Sequence, residues 1–255
     1  MSDLDRLPLK DLVHGIRVIA ARELEAYFDA PIAYVYATVF LVLSCSAFMN
    51  AFFLNGLVDM APYFDLLPFF LIPFVPAITM RIWAEERAHN TFELLMSLPM
   101  QPFQLVLGKY LAALCFYLIV LSGSLPITAM LLYLGDPDLG LILASYAGAV
   151  LLGAFFLASG LFVSGLTRDQ IVAFALGTLL CFLFVFSGHE KVVEVLDGLA
   201  PTRQIGTTLY ESVSVMPHYE AFCRGLIGLP HTLYFVLMSA FFIWMNERTL
   251  KQSKY

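Results

Sequence analysis

Three short motifs in this 255-residue chain carry residue types that could do covalent or phosphate chemistry, and each is incomplete. His189-Glu190 begins like the H-E-x-x-H of a zinc peptidase, where two histidines one helical turn apart hold the metal. Lys191, Val192 and Val193 follow, so the second histidine is absent. Leu157-Ala158-Ser159-Gly160 lacks the first glycine of a serine-nucleophile turn, and no charged or histidine partner lies within an apolar stretch to take the proton. Helix packing accounts for Ser159 and solvated surface for His189-Glu190. Gly108-Lys109-Tyr110 has neither the upstream glycine nor the following Ser or Thr of a phosphate-binding loop. The four cysteines, Cys45, Cys115, Cys181 and Cys223, stand singly, which gives no disulfide framework and no metal spacing. No catalytic residue, metal site or cofactor is expected in this chain. If ATP drives it, another chain binds the nucleotide.

Charge is concentrated elsewhere, in the segment Ala84 to Met100. Glu85, Glu86 and Arg87 come first, then Asn90 with Glu93 three residues later, the spacing of a capping box with Asn in place of Ser or Thr. Thr91 begins a short helix that Pro99 stops, and Phe92, Leu95 and Met96 can share one face with Glu93 beside them. Two readings stand: a docking hairpin whose charged rim orients a partner while Phe92 and Leu95 anchor it, or a charged connector. Upstream, Leu12, Val13, Ile16, Ile19, Ala20, Leu24 and Tyr27 fall in one arc at helical spacing, describing an interfacial helix over residues 11–29. Glu23 interrupts that arc, either because it meets protein or because it snorkels at a membrane edge.

The elements that position these residues are membrane spans. Hydrophobic residues make up 60% and charged residues 13% of the chain, which would leave a soluble domain exposing far too much apolar surface. Six stretches reach the length needed to cross a bilayer: Ala33 to Leu54, Tyr63 to Trp83, Leu105 to Leu134, Gly140 to Leu166, Ile171 to Ser187 and Thr232 to Asn246. The third exceeds the minimum and is expected to bend at Pro126. Eleven of the 14 Lys and Arg sort to one side, and only Lys191, Arg203 and Arg224 lie on the other, which places both termini in the cytoplasm and residues 188–231 outside. That outer loop has apolar residues at helical spacing and is expected to form two short helices folded back on the membrane. The net charge of -6 sums over segregated loops and says little about partners. The first thirty residues carry Asp3, Asp5, Glu23 and Glu25, so no cleavable signal peptide is expected. In the fourth span Ser145, Ala149 and Gly153 recur every four residues, as do Gly160 and Ser164, a stripe that permits close helix contact. No ionisable residue lies near a span centre, which counts against ion-coupled transport.

The run Pro76-Ala77-Ile78-Thr79-Met80-Arg81-Ile82-Trp83-Ala84-Glu85-Glu86-Arg87, followed by Asn90-Thr91-Phe92-Glu93-Leu94-Leu95 and Gly108-Lys109-Tyr110, resembles the ABC type 2 transporter permeases, and within them the branch that includes the gliding-motility permease. Arg22-Glu23-Leu24 with Pro31-Ile32-Ala33-Tyr34, Leu166-Thr167-Arg168-Asp169-Gln170-Ile171, and Phe222-Cys223-Arg224-Gly225-Leu226-Ile227 extend the resemblance over nearly the whole chain. The family usually has Gly before the hairpin Thr where this chain has Asn90, which tolerates the left-handed or capping conformation that Gly supplies. The resemblance implies a single all-α membrane domain over residues 1–255, with six spans, an interfacial elbow helix, a cytoplasmic coupling helix and outer re-entrant helices. It implies a bacterial inner-membrane permease that couples ATP hydrolysis elsewhere to export, working with an ABC ATP-binding subunit dimer that holds ATP and Mg, and with a second permease chain, identical or related. Glu85, Glu86, Arg87, Thr91, Phe92, Glu93, Leu94 and Leu95 are the expected coupling residues, with Arg22 and Glu23 as elbow contacts. A rival reading is a mechanical or assembly platform that passes motion to a periplasmic or auxiliary membrane protein; a secondary carrier comes third. The bilayer is the expected surrounding, and nothing points to nucleic acid.

Overall fold

A computed structural model of the chain describes residues 9–56, 58–97, 100–199, 206, 210 and 213–252, and among them only helices and turns occur. In chain order the helices are α1 (Leu9–Asp29), α2 (Pro31–Asn55), α3 (Ala61–Thr79), α4 (Arg81–Ala88), α5 (Phe92–Ser97), α6 (Pro102–Ser122), α7 (Leu125–Leu134), α8 (Leu139–Leu166), α9 (Gln170–Phe186), α10 (Glu190–Leu199), α11 (Met216–Cys223) and α12 (Leu229–Gln252). Pro99 and Arg203, named above, and Arg6 and Lys254, two of the eleven basic residues counted for topology, fall outside the described residues.

Five stretches are long and apolar enough to cross a bilayer: α2, α3 running into α4, α6 running into α7, α8 and α12. The expected fifth span corresponds to α9, an apolar helix of 17 residues that is shorter than the others. Local chemistry explains where these helices begin and bend. Pro31 opens α2 at a position that needs no N–H. Asp138 caps α8 by accepting from the Gly140 and Leu141 N–H groups at 2.8 and 3.2 Å, and Asp169 caps α9 by accepting from Ile171 and Val172 at 2.7 and 3.3 Å. Pro126 cannot donate to the carbonyl one turn earlier, and the helix is broken just before it, between α6 and α7.

Pro68, Pro73 and Pro76 lie inside α3 without ending it. Pro68 frees the carbonyl of Phe64, and the hydroxyl of Tyr219 on α11 donates to that oxygen at 2.9 Å. A carbonyl left unpaired in an apolar bundle is expensive, so this contact satisfies α3 and pins α11 to it.

Helix α8 is central, packing on α3, α4, α6, α9, α11 and α12. Leu152, Phe155, Phe156, Leu157 and Ala158 are fully enclosed. The stripe of small residues faces neighbours, as expected for packing: a Cβ at Gly153 would fall inside the Tyr117 ring. By contrast, α2 and α12 leave most of their apolar surface uncovered, including Val35, Val39 and Val42 on one and Leu233, Val236 and Leu237 on the other.

Candidate functional site

The charged segment forms a helical hairpin, α4 to α5, whose turn differs from the expected capping box. Asn90 has φ of +56°, in the left-handed region, whereas an N-cap residue is extended. It closes α4 instead of opening α5. The Thr91 N–H reaches the Glu86 carbonyl at 3.0 Å and the Asn90 N–H reaches that of Arg87 at 3.4 Å, the paired bonds of a Schellman turn. The Asn90–Glu93 box is therefore corrected: of the two conformations open to Asn90 the chain takes the left-handed one, and Thr91 precedes α5. A capping box does occur at Gln101 and Gln104, at the start of α6.

Burial also reverses part of the expected docking face. Phe92 and Leu95 turn inward into the chain's own core, Phe92 with its ring 6.1 Å from that of Trp83 and beneath the Arg87 guanidinium at 4.7 Å. They hold α5 to the bundle and are not free to anchor another protein. Glu93 and Leu94 point outward, Leu94 being 71% exposed. The Met96 side chain lies outside the described residues.

Several charges assigned to an outside partner are instead engaged within the chain. Lys109, only 2% exposed, lies 3.0 Å from Glu23 of α1 and 2.7 Å from Glu86 of α4, and donates to the Ile82 carbonyl at 3.3 Å. Its ammonium is also 5.0 Å from the Trp83 ring. Glu23 additionally accepts from Arg22 at 2.6 Å, and Glu85 takes both arms of the Arg81 guanidinium at 2.7 and 3.0 Å. Glu23 thus interrupts the apolar arc of α1 because it meets a lysine of its own chain. Burial alone would raise its carboxyl pKa, but Lys109 and Arg22 outweigh burial and hold it below its ordinary value.

Three consecutive residues build this junction from α6. Gly108 lets α1 approach, since a Cβ there would meet the Ile19 side chain at 2.7 Å. Lys109 then lies under Glu23. Tyr110 donates to the Ala154 carbonyl of α8 at 3.1 Å. The apolar face of α1 carries Ile16 and Ile19 into the core, while Val13 of the expected arc is exposed. Tyr27 donates to the Ile78 carbonyl at 3.3 Å and stacks on Phe116 with ring centres 5.0 Å apart.

A second tie was not legible in the sequence. Ser164 of α8 accepts from the Trp83 and Ala84 N–H groups at 3.1 and 3.3 Å and donates to the Met80 carbonyl at 3.0 Å. The first turn of α4 has no donors' partners of its own, so a side chain from another helix caps it. Ser164 was placed in the small-residue stripe, and nothing in its spacing announces this role. Lys109 did leave a signal: a cation just inside an apolar stretch matches a carboxylate intruding on an apolar arc.

Between α1, α2, α3 and the hairpin lies an open cavity of about 400 Å³, lined by Glu23, Tyr27, Ile78, Arg81, Glu85 and Lys109 among others. A second, of about 390 Å³, is nearly all apolar and lies between α2, α3 and α9, lined by Val39, Phe40, Phe74 and Phe174. Ser159 is fully buried and donates to the Phe156 carbonyl of its own helix at 2.9 Å, and His189 stacks on Phe186. Helices α1, α4, α5, α6 and α8 are joined at the end of the bundle where Arg81, Arg87, Lys109 and Arg168 lie, with an exposed acidic and apolar tip at Glu93 and Leu94.

The profile of the ABC-2 family transporter proteins matches residues 33–246, from the start of α2 to near the end of α12. Curated proteins offer no match to the chain. A profile covering most of the sequence, five apolar helices fit to cross a bilayer and a hairpin between the second and third of them agree: this chain belongs to the ABC-2 transporter family, as a multi-pass membrane permease component of an ABC transporter.

Proposed function

We propose that the chain is the export permease of an ATP-driven transporter, in which a separate ATP-binding subunit docks on the α4–α5 hairpin and its closure moves the membrane helices. The observation that carries this reading is the exposed Glu93–Leu94 tip on a hairpin whose base is tied to the bundle. Phe92 and Leu95 fasten α5, Ser164 fastens α4 to α8, and Lys109 fastens α4 to α1 and α6. A push at the tip is then passed to the spans rather than absorbed by a loose loop. ATP and Mg belong to the ATP-binding subunits, which act as a pair beneath two permease chains. Counting α9 as a span gives six, with α1 as the elbow helix, α10 and α11 on the outer side, and both termini in the cytoplasm of a bacterial inner membrane. The resemblance to the gliding-motility branch is consistent with this assembly.

Glu93→Lys is expected to weaken association with the ATP-binding subunit about tenfold or more, because an interface penalises a reversed charge by several kcal/mol. Glu93 is exposed, so expression and monodispersity should not change. Glu93→Gln should fall between. The affinity of the purified, reconstituted chain for the subunit, and ATP turnover of the assembly, are the measurements, with Glu25→Lys as an equally exposed control. Wild-type affinity and turnover in Glu93→Lys would reject the hairpin as the coupling element.

Orientation is tested separately. A cysteine at Glu194, exposed on α10, should react with an impermeant maleimide added to sealed cells, and one at Glu93 should not. The opposite labelling pattern overturns the topology.

A further inference from the structure

We infer that Arg87 and Arg168 together form a seat for a carboxylate on an acidic segment of the ATP-binding subunit, a second contact beside the hairpin tip that rests on the coupling reading above. The placement follows from the Ser164 cap. Ser164 is bonded to Trp83, and one turn further along each strand of chain stand Arg87, on α4, and Arg168, in the turn between α8 and α9. The two helices pack together there, and the charge of Arg168 acts on Arg87.

No carboxylate of the chain offsets this pair among the described residues. Glu85 is held by Arg81, Glu86 by Lys109 and Glu247 by Lys251. Asp169, next to Arg168, is used by the N-terminal N–H groups of α9. Glu93 makes no ion pair with either arginine. The Nε and Nη2 atoms of Arg87 have no hydrogen-bond partner although they are shielded from solvent. The same two atoms of Arg81 grip Glu85, which shows what this edge of a guanidinium takes. Arg168 is exposed and Arg87 half-buried, so an incoming group meets Arg168 first and reaches the shielded donors of Arg87 as that side chain turns outward.

Arg87, with its unmet donors, and the neighbouring cation Arg168 repel each other in the isolated chain, and an anion placed between them removes that repulsion. A bidentate carboxylate fits the chemistry. A protein surface fits better than an anionic lipid surface, because the exposed Glu93 on the same hairpin would be repelled by uniform negative charge.

The test uses the full chain in nanodiscs and its purified ATP-binding subunit. Affinity is measured at about 50 and about 500 mM NaCl, since screening weakens an exposed charge contact. Arg87→Gln with Arg168→Gln should lower affinity at low salt about tenfold or more and flatten its salt dependence. Arg87→Lys with Arg168→Lys should keep the salt dependence while losing part of the affinity, because lysine retains charge but not the fork. All variants are compared for monodispersity and thermal midpoint, and the lysine pair guards against a folding defect in the glutamine pair. Should Glu93→Lys weaken binding while the glutamine pair binds with wild-type affinity and salt dependence, this seat is wrong and the hairpin reading stands. Should neither change binding, both fall. A loss seen only with phosphatidylglycerol nanodiscs, and not with phosphatidylcholine ones, assigns the arginines to lipid and overturns the proposal.

Discussion

Lys109→Met is expected to destabilise the chain by about 3 kcal/mol or more, the largest effect of any single charge removed from this protein. Methionine fills much of the same space, so the loss is not a packing defect. It leaves Glu23 and Glu86, 17% and 19% exposed, facing each other in a poorly solvated junction with no cation between them. It also removes the donor to Ile82 and the contact with the Trp83 ring. Thermal unfolding of the detergent-solubilised chain, followed by loss of the monodisperse species, measures the effect. Replacing Glu23 and Glu86 by glutamine in the same background should restore part of the stability, which a mere loss of side-chain volume would not allow. The pH response should also separate variant from wild type. In the wild type the Glu23 pKa is depressed in the folded state, so its contribution is complete above the ordinary carboxylate range and is lost as pH falls through the folded value, while burial outweighs Lys109 at Glu86 and raises its pKa, which offsets part of that loss. In Lys109→Met the two carboxylates repel, and protonation relieves them, so lowering the pH from about 7 to about 5 should raise the variant's midpoint relative to wild type. An unchanged midpoint at both pH values would show that the junction does not hold the hairpin.

Gly153→Val should lower stability by about 3 to 5 kcal/mol, enough to reduce the yield of folded protein sharply. Gly153 lies where α8 meets the fully buried Tyr117 of α6, and any Cβ would overlap that ring. Tyr117 cannot step aside cheaply, because its hydroxyl donates to the Ala149 carbonyl at 2.9 Å on the same helix. Displacing the ring therefore adds a lost buried hydrogen bond to the overpacking. A smaller side chain at the facing position, as in Gly153→Val with Tyr117→Leu, should recover folded protein, and Gly198→Ala, where the added carbon meets nothing within 4 Å, should behave as wild type. Normal yield of the single variant would mean that α6 and α8 stand further apart than described.

These two sites also mark where sequence reasoning stopped. Apolar runs long enough to span a bilayer, the break before Pro126 and the amphipathic arc of α1 are properties of contiguous residues. Each depends on length, periodicity or the backbone chemistry of one residue type, and each was legible from the chain alone. So was the hairpin between the second and third apolar stretches. Its inner arrangement was not. Asn90 had two conformations open to it, and only the path of α5 back onto Trp83 selected the left-handed one. Phe92 and Leu95 carry the same apolar character whether they meet a partner or their own core, and tertiary packing turned them inward. Lys109 and Glu23 are separated in sequence by two apolar spans and the hairpin, so their pairing required Gly108 to bring α1 against α6. Ser164 was visible as a small residue in a stripe, but its role as the cap of α4 depends on a helix eighty residues away. Local hydrogen bonding and hydrophobic length determined the elements of this permease. Which charges are spent inside and which remain exposed was decided by burial, a property of the whole bundle that no single segment carries.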